Sequence, residues 1–260
     1  MLNERLLEPQ APAEPALPPL RILLAEDSRL AEVYTVRLLE RRGCSVVVAR
    51  NGREAVAACH RQPFDLILMD VQMPEMNGIE ATAAVRASER EHGRRTPILA
   101  LTAGTTPEEN ESCRIAGMDG CLLKPVREQD LSAAFAGLAP VAADGGREES
   151  PSLDRAALMA EAGGDGELLE RLVAIFREEA ARLLAEIRQA AVRGDGTRLS
   201  DAAHALKGTA GHWSRGAVFR AAARLENREL GVDPEAAAAD IKELQREIPR
   251  LLLALDHILS

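Results

Sequence analysis

Aromatic residues are scarce in this 260-residue chain, at 2 % of the sequence, whereas hydrophobic residues as a whole make up 46 %. Its hydrophobic cores must therefore be built from Leu, Ile, Val and Ala. The length suggests two domains, since one domain commonly has about 100–200 residues. Charged residues, at 28 %, are as frequent as in ordinary soluble globular proteins.

Cysteine is also rare, and no two cysteines form a Cys-x-x-Cys motif. Their spacings match no metal-binding framework. We expect free thiols in a reducing cytosol, because disulfides are rare in that compartment. The four are Cys44, Cys59, Cys113 and Cys121.

Long apolar runs and an excess of positive charge are absent as well. No run approaches the roughly 20 residues of a membrane span, and the proline-rich N-terminus has no apolar segment typical of a signal peptide. We therefore expect a cytoplasmic chain without membrane contact. The formal net charge of −9, without a helix-turn-helix or zinc-finger pattern, argues against a nucleic-acid partner.

Composition divides the chain into four segments. Residues 1–20 contain five prolines and predict a linker or tail. Residues 21–138 alternate five short apolar runs with helical patterns, which is typical of an α/β fold with a doubly wound parallel sheet. Residues 139–151 predict a flexible linker rich in Gly, Pro and acidic residues. Residues 152–260 have helical periodicity throughout, which predicts an all-α antiparallel bundle.

Polar residues follow the predicted strands where each strand ends. Glu26 and Asp27 follow the first strand, Asp70 ends the third, Thr102 ends the fourth and Lys124 follows the fifth. In open parallel sheets these ends form one ligand-binding edge. Clustered carboxylates suit Mg²⁺, and a carboxylate beside a lysine and a hydroxyl suits phosphoryl transfer. Taken singly, Glu26-Asp27 could instead cap a helix, and Lys124 could be a solvated loop residue.

The segments ILLAEDS, LILMDVQMPEMNG, ILALTAG and CLLKP resemble the response-regulator receiver family, over residues 21–138. The resemblance implies a flavodoxin-like fold in which Asp70 accepts a phosphoryl group from a phosphohistidine donor. It also implies a Mg²⁺ site made of Glu26, Asp27, Asp70 and the main-chain carbonyl of Gln72.

The same resemblance implies that Thr102 and Lys124 contact the phosphoryl group and that the Lys124–Pro125 peptide bond is cis. The sequence departs from the family at Cys121, because most members have Tyr or Phe three residues before the lysine. We therefore expect phosphorylation to change the surface around the fourth and fifth strands only modestly.

His204 differs from the other four histidines in its surroundings. It lies in DAAHALKGTAGHW, and Lys207 shares its helix face one turn later. Gly208 and Gly211 lie beside it, which would let another protein surface approach closely. A helix with tolerated glycines and a surface histidine is the alternative.

The segments GGDGELLERLVAIF and AHALKGTAG resemble histidine-containing phosphotransfer (HPt) domains over roughly residues 152–258. The resemblance implies that His204 carries a phosphoryl group, with Lys207 and Gly208 in supporting positions. His212, where many members have Asn, is not expected to be a carrier.

Together these features predict an intermediate of a two-component phosphorelay. No ATP-binding kinase motif is found, so the expected donor is a histidine kinase, either separate or an N-terminal part of the same protein, as in hybrid sensor kinases. The expected acceptor is a downstream receiver. The alternatives are a signalling adaptor that relays nothing and a phosphate sink in which His204 drains Asp70.

The predicted linker also suggests how the two domains meet. A flexible chain of about 14 residues has a root-mean-square span of about 20 Å. We expect docking of the helical domain on the active edge of its own receiver to be entropically disfavoured, so that transfer between Asp70 and His204 does not need a shared chain.

Overall fold

The computed structural model of the protein describes residues 20–104, 107–136, 153–228 and 234–260, with the side chains of residues 107–109 and 234 left aside. The predicted linker at residues 139–151 and nearly all of the predicted tail at 1–20 lie outside the described residues. None of the helices in these ranges has both the length and the apolar composition that a membrane crossing requires.

The first domain is the predicted doubly wound α/β fold. Five parallel strands form one sheet in the order β2-β1-β3-β4-β5. The strands are β1 (Arg21–Ala25), β2 (Ser45–Ala49), β3 (Leu66–Asp70), β4 (Ile98–Thr102) and β5 (Gly120–Leu123). The helices are α1 (Arg29–Glu40), α2 (Gly52–Arg61), α3 (Gly78–His92), α4 (Pro107–Ala116) and α5 (Glu128–Phe135).

Both faces of the sheet are covered, which explains why the strands are apolar runs rather than alternating patterns. All five residues of β3 are buried. One face packs with α1 and α5, through residues such as Leu24, Leu68 and Leu131. The other face packs with α2, α3 and α4.

The loop from β3 to α3 fixes the end of the central strand. A Cβ at Gly78 would lie far inside van der Waals contact with the main-chain oxygen of Asp70. The Gly78 N–H donates to the Val71 carbonyl at 3.0 Å. Asn77 and Glu80 form a capping box at the start of α3. Only glycine allows this close approach, which holds Asp70 at the edge of the sheet.

The second domain is the predicted helical bundle. It comprises α6 (Arg155–Glu161), α7 (Gly166–Arg193), α8 (Gly196–Gly211), α9 (Ala217–Glu226) and α10 (Pro234–Leu259). The 28-residue α7 packs against both α8 and α10, and α9 closes the bundle between those two. Asp165 and Asp195 cap the N-termini of α7 and α8, and Gly194 ends α7 in a left-handed conformation.

The two domains contact each other through α1 and α7. One continuous cluster of buried apolar side chains includes Leu30 and Leu38 of α1 together with Leu169 and Leu172 of α7. The helical domain therefore lies against the first helix of the receiver-like domain, directly beside the end of β1.

Candidate functional site

The ends of β1, β3 and β5 bring two carboxylates and an ammonium together. Lys124 Nζ lies 2.7 Å from Glu26 Oε2 and 2.6 Å from Asp70 Oδ2. The Gln72 N–H donates to Asp70 Oδ1 at 3.2 Å. Burial lowers the pKa of Lys124, but the charges of Asp70 and Glu26 outweigh that effect and raise it. Lys124 therefore stays cationic beside Asp70.

Three carboxylates at this edge are close enough to share one cation. Ligand oxygens of Glu26, Asp27 and Asp70 all lie within 4.8 Å of one another. Burial raises the pKa of Glu26 to about 8. The Lys124 charge lowers this pKa, and the Asp70 charge raises it further. Burial and the Asp70 charge also raise the pKa of Asp27. A bound hard cation would relieve both effects, so the donor set fits Mg²⁺.

Two other sequence predictions fall at the same edge. The Thr102 hydroxyl donates to the Gly104 carbonyl, and the Lys124–Pro125 bond is cis, as the resemblance implied. Cys121, in place of the family aromatic, is buried, and its Sγ lies 3.8 Å from Asn110 Oδ1 of α4.

In the helical domain, His204 of α8 is held by a carboxylate at the end of α9. His204 Nδ1 lies 2.6 Å from Glu226 Oε1, and Lys207 Nζ lies 2.6 Å from Glu226 Oε2. Burial raises the pKa of Glu226, but the hydrogen bonds from His204 and Lys207 outweigh it and lower the pKa. An ionised Glu226 can only accept, so Nδ1 carries the proton of this hydrogen bond, and in the neutral form of the ring Nε2 then holds the lone pair.

The two glycines beside His204 differ in their surroundings. A Cβ at Gly208 would have no neighbour within 4 Å, and Gly208 faces the receiver-like domain. A Cβ at Gly211 would instead be 3.5 Å from Phe219 of α9 in the same domain. The expectation that both glycines admit another surface is therefore wrong for Gly211, which packs inside the bundle.

Asp70 and His204 line the same cavity, of about 230 Å³, between the two domains. A water molecule takes about 30 Å³ in the liquid, so the space admits a phosphoryl group and a metal ion. All eight predicted site residues border it: Glu26, Asp27, Asp70, Gln72, Thr102, Lys124, His204 and Lys207.

The helical domain is therefore docked on the active edge of the receiver-like domain, whereas the length of the linker predicted that such docking is disfavoured. The cost of loop closure grows only with the logarithm of loop length, and interdomain contacts offset it.

One of those contacts is an aromatic pair. The ring of Tyr34 of α1 meets the ring of His212 edge-on, with centroids 5.4 Å apart and planes at 73°. Burial lowers the pKa of His212 to about 3, and the Lys124 charge acts in the same direction. His212 is therefore neutral at the domain interface.

Sequence reasoning missed Glu226, which contacts both His204 and Lys207. It follows His204 by 22 residues and lies on a different helix, so neither helical spacing nor a local motif connects the two. The rest of the cavity lining that was missed includes Ser28, Ala205 and Asn227. Only the antiparallel packing of α8 and α9 brings Glu226 to His204.

Comparison with known proteins identifies the family of each domain. Residues 22–136 match the response regulator receiver domain family, and residues 171–258 match the Hpt domain family. The sensor histidine kinase GacS of Pseudomonas protegens is 33 % identical over 251 residues, which cover 89 % of this chain and 26 % of that protein. The sensor histidine kinase AruS of Pseudomonas aeruginosa is 33 % identical over 238 residues, covering 88 % of this chain and 23 % of that protein.

The chain thus spans about a quarter of the length of these two relatives. Among solved structures, the complex of the Saccharomyces cerevisiae phosphotransfer protein Ypd1 with the receiver domain of Ssk1 aligns with 47 % of this chain and 90 % of the matched chain. Its sequence identity is 29 % and its TM-score 0.44. On the family matches and the site geometry, this chain consists of a response-regulator receiver domain followed by an Hpt domain.

Proposed function

We propose that this chain is a phosphorelay intermediate in which Asp70 and His204 exchange a phosphoryl group. The observation that carries the proposal is that one cavity between the two domains is lined by both residues together with their charged neighbours. Lys124 beside Asp70 and Lys207 beside His204 offset the negative charge of the phosphoryl group at either end of the transfer.

The chemistry balances without an added proton donor or acceptor. In transfer from Asp70, His204 Nε2 attacks phosphorus, the bond from phosphorus to the Asp70 oxygen breaks, and its electron pair stays on the Asp70 carboxylate. Nδ1 keeps its proton, and the ionised Glu226 stabilises the positive ring that results. The reverse reaction follows the same path.

Glu26, Asp27 and Asp70 would hold Mg²⁺, with the main-chain carbonyl of Gln72 as a further ligand. The metal would supply positive charge next to the phosphoryl oxygens. Its site is the acidic cluster whose ligand oxygens lie within 4.8 Å of one another.

The external partners follow from the same chemistry. A phosphohistidine on a histidine kinase would donate to Asp70, and a second receiver would accept from His204. The relatives named as sensor histidine kinases support a kinase as donor. The location we propose for this exchange is the cytoplasm. A non-relaying adaptor would not need an ionised Glu226 hydrogen-bonded to His204. It would also not need a lysine next to each proposed carrier.

Substitution of the two carriers tests the proposal. With radiolabelled acetyl phosphate and Mg²⁺, wild type should gain both an alkali-labile acyl phosphate and an alkali-stable phosphohistidine. Asp70→Asn should lose both labels, because the amide is a poor nucleophile and His204 is charged through Asp70. His204→Gln should lose only the alkali-stable label.

Lys207→Ala should slow the formation of phosphohistidine by about tenfold without stopping it, since Lys207 offsets charge but forms no bond to phosphorus. Release of phosphate from wild type without transfer to any added receiver would instead indicate a phosphate sink. Phosphohistidine in the Asp70→Asn protein would contradict the relay order.

A further inference from the structure

The helix α1 of the receiver presents a row of arginines to an acidic side of the Hpt domain. The N–H of Arg29 donates to Glu179 Oε1 at 3.1 Å, and its guanidinium lies 3.3 Å from Glu178 Oε2. About two turns further on, Arg37 Nη2 lies 3.0 Å from Asp165 Oδ2. The two surfaces are therefore complementary in charge along the length of α1.

The contact continues beyond the ion pairs. Arg41, at the end of α1, lies against Gly163, at a place that any side chain on residue 163 would occupy. Gly163 also has a positive φ of 64°, which favours glycine. The T-shaped contact between Tyr34 and His212 adds an aromatic contact across the same interface. We call Arg29, Tyr34, Arg37 and Arg41 the α1 docking face.

Burial along α1 is consistent with two partners. Its buried residues cover roughly half of the helix circumference at 100° per residue, which is wide for a helix packed on a sheet alone. The apolar cluster under α1 runs without interruption into α7 of the Hpt domain. The buried residues are Leu30, Ala31, Tyr34, Thr35, Leu38 and Leu39.

We propose that the α1 docking face seats the chain's own receiver over His204 and thereby excludes any other receiver until it releases. This inference rests on the proposed function. His204, Lys207 and Glu226 line a cavity whose other wall is the resident receiver. A second receiver must place its own aspartate at the same position, so exchange within the chain and delivery to another protein are alternative states.

The strength of the contact suits a reversible gate. The side chains of Arg37 and Asp165 are 47 % and 28 % exposed, and those of Arg29 and Glu178 are more exposed still. Such ion pairs contribute little each, so reversing one charge should change docking by about two- to fivefold. The gate can therefore open without unfolding either domain.

Transfer between two chains tests the gate. The donor is the His204→Gln protein phosphorylated on Asp70, and the acceptor is the Asp70→Asn protein, whose receiver still covers His204. Arg37→Glu is placed in the acceptor alone or in the donor alone. Arg53→Glu is the matched control, since this exposed arginine of α2 lies on the opposite side of the sheet.

In the acceptor, Arg37→Glu should speed transfer about two- to fivefold, because it releases the resident receiver from His204 and leaves Asp165 for the donor. In the donor, the same change should give no acceleration, because it weakens docking to either Hpt domain. No acceleration in the acceptor, or equal acceleration by Arg53→Glu, would overturn the gate. If wild type itself never forms phosphohistidine, the proposed function fails and the gate fails with it.

Small-angle X-ray scattering of the unphosphorylated chain gives an independent readout. Arg37→Glu should increase the radius of gyration as the domains separate, whereas Arg53→Glu should leave it unchanged. Equal radii for Arg37→Glu and wild type would contradict the docking contact, whatever the transfer rates are.

Discussion

At the scale of single residues, the site depends on how fixed charges select one form of each titratable group. Lys124 stays cationic between Glu26 and Asp70, and Glu226 stays anionic between His204 and Lys207. Each proposed carrier therefore has a charged neighbour in place before a phosphoryl group arrives, which is the kind of preorganisation that stabilises developing charge.

Glu226 should act by fixing the tautomer of His204. We expect Glu226→Ala to slow phosphohistidine formation by about tenfold, since a hydrogen bond to a charged group is worth roughly 1.5–3 kcal/mol. Glu226→Gln, which keeps an acceptor, should be slowed less. Nitrogen-15 NMR of the imidazole should show loss of the Nδ1–H form in the alanine variant, and Glu235→Gln on the exposed side of α10 should change neither reading.

His212 should make the stability of the docked chain depend on pH. Its pKa in the folded chain, about 3, lies below its ordinary value of 6.5, because burial and the Lys124 charge disfavour the cation. Between these values the unfolded chain binds a proton that the folded chain does not, so stability falls as pH drops below 6.5.

Urea unfolding at pH 7.5 and at pH 5 checks this expectation. His212→Asn should lose less stability between the two pH values than wild type does, although carboxylates titrate in both proteins. Equal losses would show that His212 does not contribute.

At the scale of single elements, the loop between β3 and α3 sets the position of Asp70, the proposed phospho-acceptor. Asp70 ends β3, and the loop returns so closely that Gly78 lies against the Asp70 main chain. The position of the carboxylate thus depends on backbone packing several residues away from it along the chain.

We expect Gly78→Ala to destabilise the protein by roughly 1–3 kcal/mol, as overpacked sites do, and to reduce Mg²⁺-dependent labelling of Asp70. The cause is the overlap of the added methyl group with the Asp70 carbonyl. Gly166→Ala at the start of α7, where a Cβ would have no neighbour within 4 Å, is the control and should be neutral or slightly stabilising. Normal labelling of Gly78→Ala would show that the loop can adjust without moving Asp70.

At the scale of the whole molecule, the contact between α1 and α7 brings the candidate site residues of both domains to one shared cavity. A short tether gives an effective concentration in the millimolar range when the geometry permits contact. The docked arrangement therefore favours exchange within the chain over exchange between chains.

Wild type should transfer from Asp70 to His204 with a first-order rate constant that is independent of protein concentration. A mixture of phosphorylated His204→Gln protein and Asp70→Asn protein should also transfer, but with a rate that rises with concentration and is at least about tenfold slower at micromolar protein. Equal rates in the two experiments would argue that the docked state is not used.

The fold class and the two candidate carriers can be read from the one-dimensional sequence. Strand-end positions of Glu26, Asp70 and Lys124 follow from period and order along the chain, since parallel strands align their carboxyl ends at one edge. Helical spacing places His204 and Lys207 on one helix face, and the resemblance to HPt domains implies their roles. Each of these features lies within a short segment of the sequence or recurs at the end of each strand. The order and spacing of residues along the chain are therefore enough to find them.

Which surfaces meet depends on the packing of the folded chain. Glu226 reaches His204 because α8 and α9 pack side by side, and no local spacing records that pairing. Helical spacing places Gly211 near His204 but does not tell whether its neighbour is another helix of the same bundle or an outside protein. In the structure that neighbour is Phe219 of α9. Docking of α1 on α7 likewise depends on whether many weak contacts together outweigh the entropic cost of closing the linker loop. The shapes and charges of the two surfaces set the strength of those contacts, and the length of the linker does not.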